Sequence, residues 1–145
     1  MRKIILIAVI LVFVTSAFVW AFSPKQNLKP SEYGIGTTYE LAMADKKPFI
    51  MIFYSDWCSS CIKLAKKDKL IEEIYKGKYN VVMMNTDDTK YMNVFNDYLP
   101  AVLPTIYIVD PTIDNRILIN NVIYGDLTRL RMEFDRYLRI RSMIK

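Results

Sequence analysis

The chain of 145 residues contains no histidine. Without an imidazole it cannot run a Ser-His-Asp or Cys-His relay, and it cannot ligate a metal through a ring nitrogen. Covalent haem attachment fails as well, because Ile62 stands where a Cys-x-x-Cys-His motif needs its ligand. Cysteine is nearly as scarce, with two in the whole chain, Cys58 and Cys61. A structural zinc site usually takes four Cys or His ligands, so two fall short, and no carboxylate cluster makes up the number. There are four glycines, with no Gly-rich dinucleotide loop, low-complexity tract or internal repeat among them. No metal and no bound cofactor are therefore expected. Any chemistry must come from the two sulfurs.

Long charged runs are also missing from the N-terminus. Met1-Arg2-Lys3 is followed by residues 4–22 without a charge. At 1.5 Å per residue such a helix spans roughly 28 Å, close to the hydrocarbon thickness of a bilayer. A signal peptide usually has a shorter apolar core, yet Val19-Trp20-Ala21 resembles a cleavage site, so an uncleaved anchor and a removed signal both stand, the anchor being preferred. Either way Arg2 and Lys3 hold the start inside and put the remainder on the outer side of the membrane. No lipid-attachment cysteine follows the apolar stretch. The remaining chain, about 120 residues, is enough for one domain with one core.

Net charge is +5 and falls to +3 once Arg2 and Lys3 are set aside. Much of the excess lies near the C-terminus, in Arg129, Arg131, Arg136, Arg139, Arg141 and Lys145. The same stretch places Leu127, Leu130, Phe134, Tyr137 and Leu138 at helical spacing, so these cations are expected on the solvated face of an amphipathic helix rather than against nucleic acid.

After the anchor or signal segment at 1–22, a tether is expected over residues 23–36, its polar part 23–33 with Pro24 and Pro30 reaching about 34 Å if polyproline-like; the folded domain is expected from residue 37 to 145. Thr37-Thr38-Tyr39-Glu40 matches a capping box and predicts a short helix from Thr38 to about Lys46. Phe49 to Tyr54 is apolar on both faces, as a strand covered by helices on either side would be. A helix follows from Cys58 toward Tyr75, with an interruption expected at Lys66 to Lys69, where charges break the apolar stripe, and Gly77 ends it. A strand over Tyr79 to Met84 and a helix over Asp88 to Tyr98 come next, the helix burying Tyr91, Met92, Val94, Phe95 and Tyr98. Strands at Thr105 to Val109 and Arg116 to Ile123 flank a turn at Pro111 to Asn115, and Gly125-Asp126 caps the last helix. The first two strands, joined through a helix, should be parallel, and the last two should form an antiparallel hairpin.

Trp57-Cys58-Ser59-Ser60-Cys61 lies where the first strand gives way to its helix. Two thiols three positions apart at a helix start lie close enough to bridge, and the first meets the partial positive charge of the helix N-terminus. Such a pair can exchange electrons with a partner's disulfide, Cys58 attacking and Cys61 resolving. Asp56 is expected in the preceding loop as a turn or cap residue, Asp87 and Asp88 as caps, and Lys63 and Lys66 on the surface.

The strand, the Trp-Cys-x-x-Cys motif, Leu103-Pro104-Thr105 before the third strand and the glycine before the last helix together resemble the thioredoxin-like superfamily, from about Gly36 onward. Within it, Lys47-Pro48-Phe49-Ile50 through Cys58 and the later Leu103-Pro104-Thr105 are most similar to the periplasmic C-terminal domain of the disulfide reductase DsbD and its small exported relatives. The resemblance implies an α/β thioredoxin fold, a central mixed four-stranded sheet flanked by helices, here preceded by an apolar N-terminal helix. It implies a cis peptide bond before Pro104, with Trp57, Leu103 and Pro104 forming the substrate groove beside catalytic Cys58 and Cys61. The implied function is thiol-disulfide exchange with cysteine-containing exported proteins, fed by a membrane electron donor if the protein is a reductant. Ser59-Ser60 between the cysteines lacks the histidine of the strongly oxidising members, which favours a reducing or intermediate potential. The family's buried strand carboxylate falls at Ile52, and the helix carboxylate of the DsbD domain falls at Ala65, so both proton carriers are missing. A membrane-anchored binding or assembly module with a merely structural disulfide is the alternative.

Overall fold

The computed structural model describes residues 28–144, so the apolar run at 4–22 lies outside the described residues. Four strands, β1 (Phe49–Tyr54), β2 (Asn80–Asn85), β3 (Thr105–Asp110) and β4 (Asn115–Leu118), form one sheet in the order β2-β1-β3-β4. β1 and β2 are parallel, while β1 with β3 and β3 with β4 are antiparallel. The helices are α1 (Tyr39–Ala44), α2 (Ser59–Ile74), α3 (Met92–Tyr98) and α4 (Leu127–Ile144). This is the mixed four-stranded sheet that the sequence predicts.

Every residue of β1 is buried. Alternation along the strand sends Ile50 and Ile52 to one core, with Leu64 and Ile71 of α2 and Leu130, Phe134 and Tyr137 of α4. Phe49, Met51 and Phe53 enter a second core with Ala42 of α1 and Val94 of α3. Each such buried side chain contributes roughly 1.5–3 kcal/mol through the apolar surface it removes from water. The free edge of β2 is partly covered from upstream: the Thr37 amide donates to the Val81 carbonyl at 2.8 Å. Gly36 is required there, since it has a φ of 84° and a Cβ would overlap that carbonyl.

Several expectations change in detail. The capping residue of α1 is Thr38, whose hydroxyl accepts from the Leu41 amide at 3.4 Å. α2 runs through Lys66 to Lys69 without interruption, because helical hydrogen bonding does not depend on an unbroken apolar stripe. Asp68 turns inward instead and is 2% exposed. The helix expected over Asp88 to Tyr98 begins as a 3-10 turn at Thr89–Tyr91, and Met92 is exposed rather than buried. β4 stops at Leu118 because the Asn120 side chain accepts from the Val122 amide at 3.0 Å and starts a 3-10 turn. The Tyr124 hydroxyl then takes the Ile106 amide at 2.9 Å, a donor that a longer strand would have used.

The described end of the tether is docked rather than extended. Pro30–Tyr33 forms a 3-10 turn with Pro30 buried, and Glu72 Oε1 accepts from the Gly36 amide at 2.6 Å. Arg141 also leaves the solvated face expected of it. It pairs with the fully buried carboxylate of Asp110 at the end of β3 and donates to the Lys46 carbonyl at 2.9 Å.

Candidate functional site

The C-terminal ends of β1 and β2 build the site. Parallel register sets Tyr54 beside Asn85, and the next pair, Ser55 and Thr86, share a hydroxyl hydrogen bond of 2.6 Å. Just past the strand ends Trp57 and Asp87 meet, one position out of that register: the indole N–H donates to the Asp87 carboxylate at 3.0 Å. Asp87 is thus an anchor for Trp57 and not a cap, whereas Asp88 does cap, accepting from the Lys90 amide at 2.9 Å. Trp57 lies three residues beyond the end of β1 and Asp87 two beyond the end of β2, so seeing that they meet requires knowing how the two strands pair.

Cys58 is the N-cap of α2, and its Sγ accepts from the Cys61 amide at 3.2 Å. An amide aimed at the sulfur from a helix start is the arrangement that favours a thiolate over a thiol. The two cysteines are joined in a disulfide with their Cα atoms 5.2 Å apart. Cys58 is 8% exposed and Cys61 2%, so the first cysteine is the more accessible residue. Both pack against Tyr54, with Met83 and Leu103 at their sides.

Leu103 belongs to the loop before β3, and the Leu103–Pro104 peptide bond is cis. The Thr105 hydroxyl donates to the Val102 carbonyl and closes the loop on itself. Trp57 is 73% exposed on the other side of the sulfurs. The fold thus brings Leu103 against Cys58 and Cys61, with Pro104 following Leu103 and Trp57 preceding Cys58 in the chain.

Asp56 has a role that sequence reading missed. Its carboxylate accepts from the Ser31 hydroxyl at 2.7 Å and the Ser31 amide at 3.2 Å, tying the upstream 3-10 turn to the loop that carries Trp57. Ile52 and Ala65 are both fully buried and apolar, so the positions that lack a carboxylate stay without one. The buried carboxyl on α2 is Asp68. Burial pushes it up to about 7, opposed by the charge of Lys67, and its Oδ1 has no partner. Seven residues beyond Cys61, about 10 Å along the helix, it does not touch the sulfurs. Lys63 and Lys66 are exposed, as expected. Among the described residues no cluster of metal-ligating side chains occurs, and no helix is long and apolar enough to cross a membrane.

The thioredoxin family model matches residues 34–120. The chain is similar to the chloroplastic thioredoxin-like protein HCF164 of Arabidopsis thaliana, 38% identical over 72 residues, covering 50% of this chain and 28% of that protein. It is 36% identical over 62 residues to the thiol:disulfide interchange protein TxlA of Synechococcus elongatus, covering 43% of this chain and 32% of TxlA. The chain thus spans under a third of the length of these relatives. In fold it is similar to the germline-specific thioredoxin Deadhead of Drosophila melanogaster, with a TM-score of 0.54 at 21% identity, covering 65% of this chain and 87% of that one. With the family model matching residues 34–120, more than half its length, the chain belongs to the thioredoxin family, and it carries a Cys-x-x-Cys pair at Cys58 and Cys61.

Proposed function

We propose that the protein is an extracytoplasmic, membrane-tethered thiol-disulfide oxidoreductase that reduces disulfides of cysteine-bearing exported proteins. The observation that carries this reading is the Cys58–Cys61 pair, held at the start of α2 against the loop of the cis Leu103–Pro104 bond. The apolar run at 4–22 behind Arg2 and Lys3 supports the tether. The likeness around Lys47 to Cys58 and Leu103 to Thr105 to the DsbD domain supports an exported reductant, and TxlA is by name an interchange protein.

In the reduced protein the Cys58 thiolate attacks one sulfur of the substrate disulfide. That S–S bond breaks, its electron pair leaves on the other substrate sulfur, and a proton from water neutralises it. Cys61 then gives up its proton and attacks Cys58 Sγ. The mixed disulfide breaks, the second substrate sulfur departs as a thiolate and is protonated, and Cys58–Cys61 closes. Two electrons and two protons reach the substrate. A membrane-embedded dithiol would restore them, since no cofactor is called for. Trp57, Leu103 and Pro104 shape the surface on which the substrate chain lies. With Ile52 and Ala65 apolar, water must carry the proton of Cys61.

Once reduced, Cys58 should alkylate selectively with iodoacetamide at neutral pH, and a Cys61→Ala variant should accumulate mixed disulfides with protein substrates. An unreactive Cys58 with nothing trapped would favour the binding module with a structural disulfide. The redox potential of the couple, measured against glutathione, decides the direction. The mass of the mature chain decides whether residues 1–22 are retained.

A further inference from the structure

A groove of about 370 Å³ opens beside the sulfurs, between α2 and the cis-proline loop. One wall is the helix face of Ser60, Lys63, Leu64 and Lys67, whose i, i+3, i+4, i+7 spacing stacks the two lysines one turn apart. Val102 and Leu103 form the facing wall. The floor is apolar, made by buried Leu64 and by Tyr124, whose hydroxyl is already used between the Ile106 amide and the Ile119 carbonyl.

The charge of this groove is one-sided. Among the described residues Lys63 has no carboxylate partner, and Lys67 donates only to the neutral Gly125 carbonyl. The carboxylate next to Gly125, that of Asp126, caps α4 through the Thr128 amide at 2.9 Å and pairs with Arg129. Asp68 is buried and does not line the groove. Across the sulfurs the polarity reverses, with the carboxylates of Asp56 and Asp87 flanking Trp57.

We propose that this groove selects its protein substrates by charge: it takes an extended segment in which one flank of the reacting cysteine carries a carboxylate, paired with Lys63 and Lys67, beside an apolar side chain on Leu64 and Val102. The inference rests on the oxidoreductase reading and supplies its substrate class. Two lysines without carboxylate partners, Lys63 exposed and Lys67 half-buried, above an apolar floor favour a carboxylate and disfavour a cation, and the opposite sign around Trp57 fixes which flank bears it.

The test uses the Cys61→Ala protein with Cys58 reduced. Single-cysteine peptides are supplied as mixed disulfides with thionitrobenzoate, in pairs that differ only by Glu or Gln at positions one to three on either side of the cysteine. Cys58 attacks the peptide sulfur, the bond to thionitrobenzoate breaks, and the coloured thiolate leaves with the electron pair as the Cys58–peptide bond forms. Each rate is divided by the rate with neutral hydroxyethyl disulfide, which reads the intrinsic reactivity of Cys58. The Glu peptide should react about three- to ten-fold faster than its Gln twin at low salt, on one flank only, the advantage shrinking in 0.5 M sodium chloride at a Debye length of about 4 Å. Lys63→Glu should reverse the preference, while Lys66→Glu, on the exposed helix surface outside the groove, should leave it. Equal rates for the twins, equal effects on both flanks, a preference surviving Lys63→Glu, or an equal loss in Lys66→Glu would each overturn the proposal. A Cys58 inert even to hydroxyethyl disulfide would overturn the oxidoreductase reading, and this inference with it.

Discussion

Two aspartates are withdrawn from water in this domain, and their surroundings differ completely. Asp110, at the end of β3, is 0% exposed and accepts from the Thr112 hydroxyl at 2.7 Å, the Thr112 amide at 3.1 Å, the Tyr137 hydroxyl at 3.1 Å and the Arg141 guanidinium. Burial pushes its carboxyl up, but these donors outweigh burial and hold it below the usual carboxylate range. Asp68, midway along α2, is 2% exposed with an unpartnered Oδ1, and burial pushes it up to about 7. Burial alone therefore does not decide whether a carboxyl is charged. Its donors decide, and a site with none of them keeps its proton toward neutrality.

The comparison can be broken at its strong side first. Arg141→Ala removes the charged partner of Asp110 and leaves a buried carboxylate uncompensated. Urea denaturation at pH 7 should show a loss of about 3–5 kcal/mol. The midpoint should recover partly as pH falls and Asp110 takes up a proton.

The weak side predicts the opposite sign. Asp68 binds its proton more tightly in the folded chain than in the unfolded one, from a reference of 3.8 to about 7. The folded state then loses stability as pH rises from about 4 through 7 and is level above that. Asp110, held low, contributes stability above the ordinary carboxylate range and loses it as pH falls through its own depressed value. Asp68→Asn, neutral at every pH, should match the parent near pH 4 and exceed it by ~2–4 kcal/mol at pH 8. A constant difference across that range would show that Asp68 is not the titrating group.

The smallest expected change sharpens the comparison within one site. Tyr137→Phe deletes one neutral donor to Asp110 and should cost about 1 kcal/mol, seen as a lower urea midpoint at unchanged slope. A loss as large as that of Arg141→Ala would mean that the network holds as a unit.

The elements nearest the sulfurs were the most legible from the chain itself. A short apolar run without alternation, opened by Pro48 and closed by Ser55-Asp56, fits a strand buried on both faces, and Cys58 at the following helix start is a local feature, so β1, the start of α2 and the cysteine pair were readable in place. The cis-proline loop was readable through resemblance. What escaped detection depends on neighbours remote in sequence. Trp57 meets Asp87 only because β1 and β2 pair in parallel. Ser31 reaches Asp56 only because the upstream turn docks on the domain. β4 ends early because a tyrosine hydroxyl six residues later competes for a ladder amide. The charged stretch Lys66 to Lys69 misled for the same reason, since nothing local distinguishes the inward Asp68 from its outward neighbours.

By itself, then, the order of residues determined the strand–helix succession, the scarcity of chemistry outside two sulfurs and the helix-start position of Cys58, because periodicity, caps and spacing act over a few residues. Tertiary structure alone decided which carboxylates are paired, which lysines line the groove beside the cis-proline loop and how Leu103 meets the cysteines. Those outcomes depend on strand register and helix docking, which bring together groups tens of residues apart and set the dielectric and the donors that each charge meets.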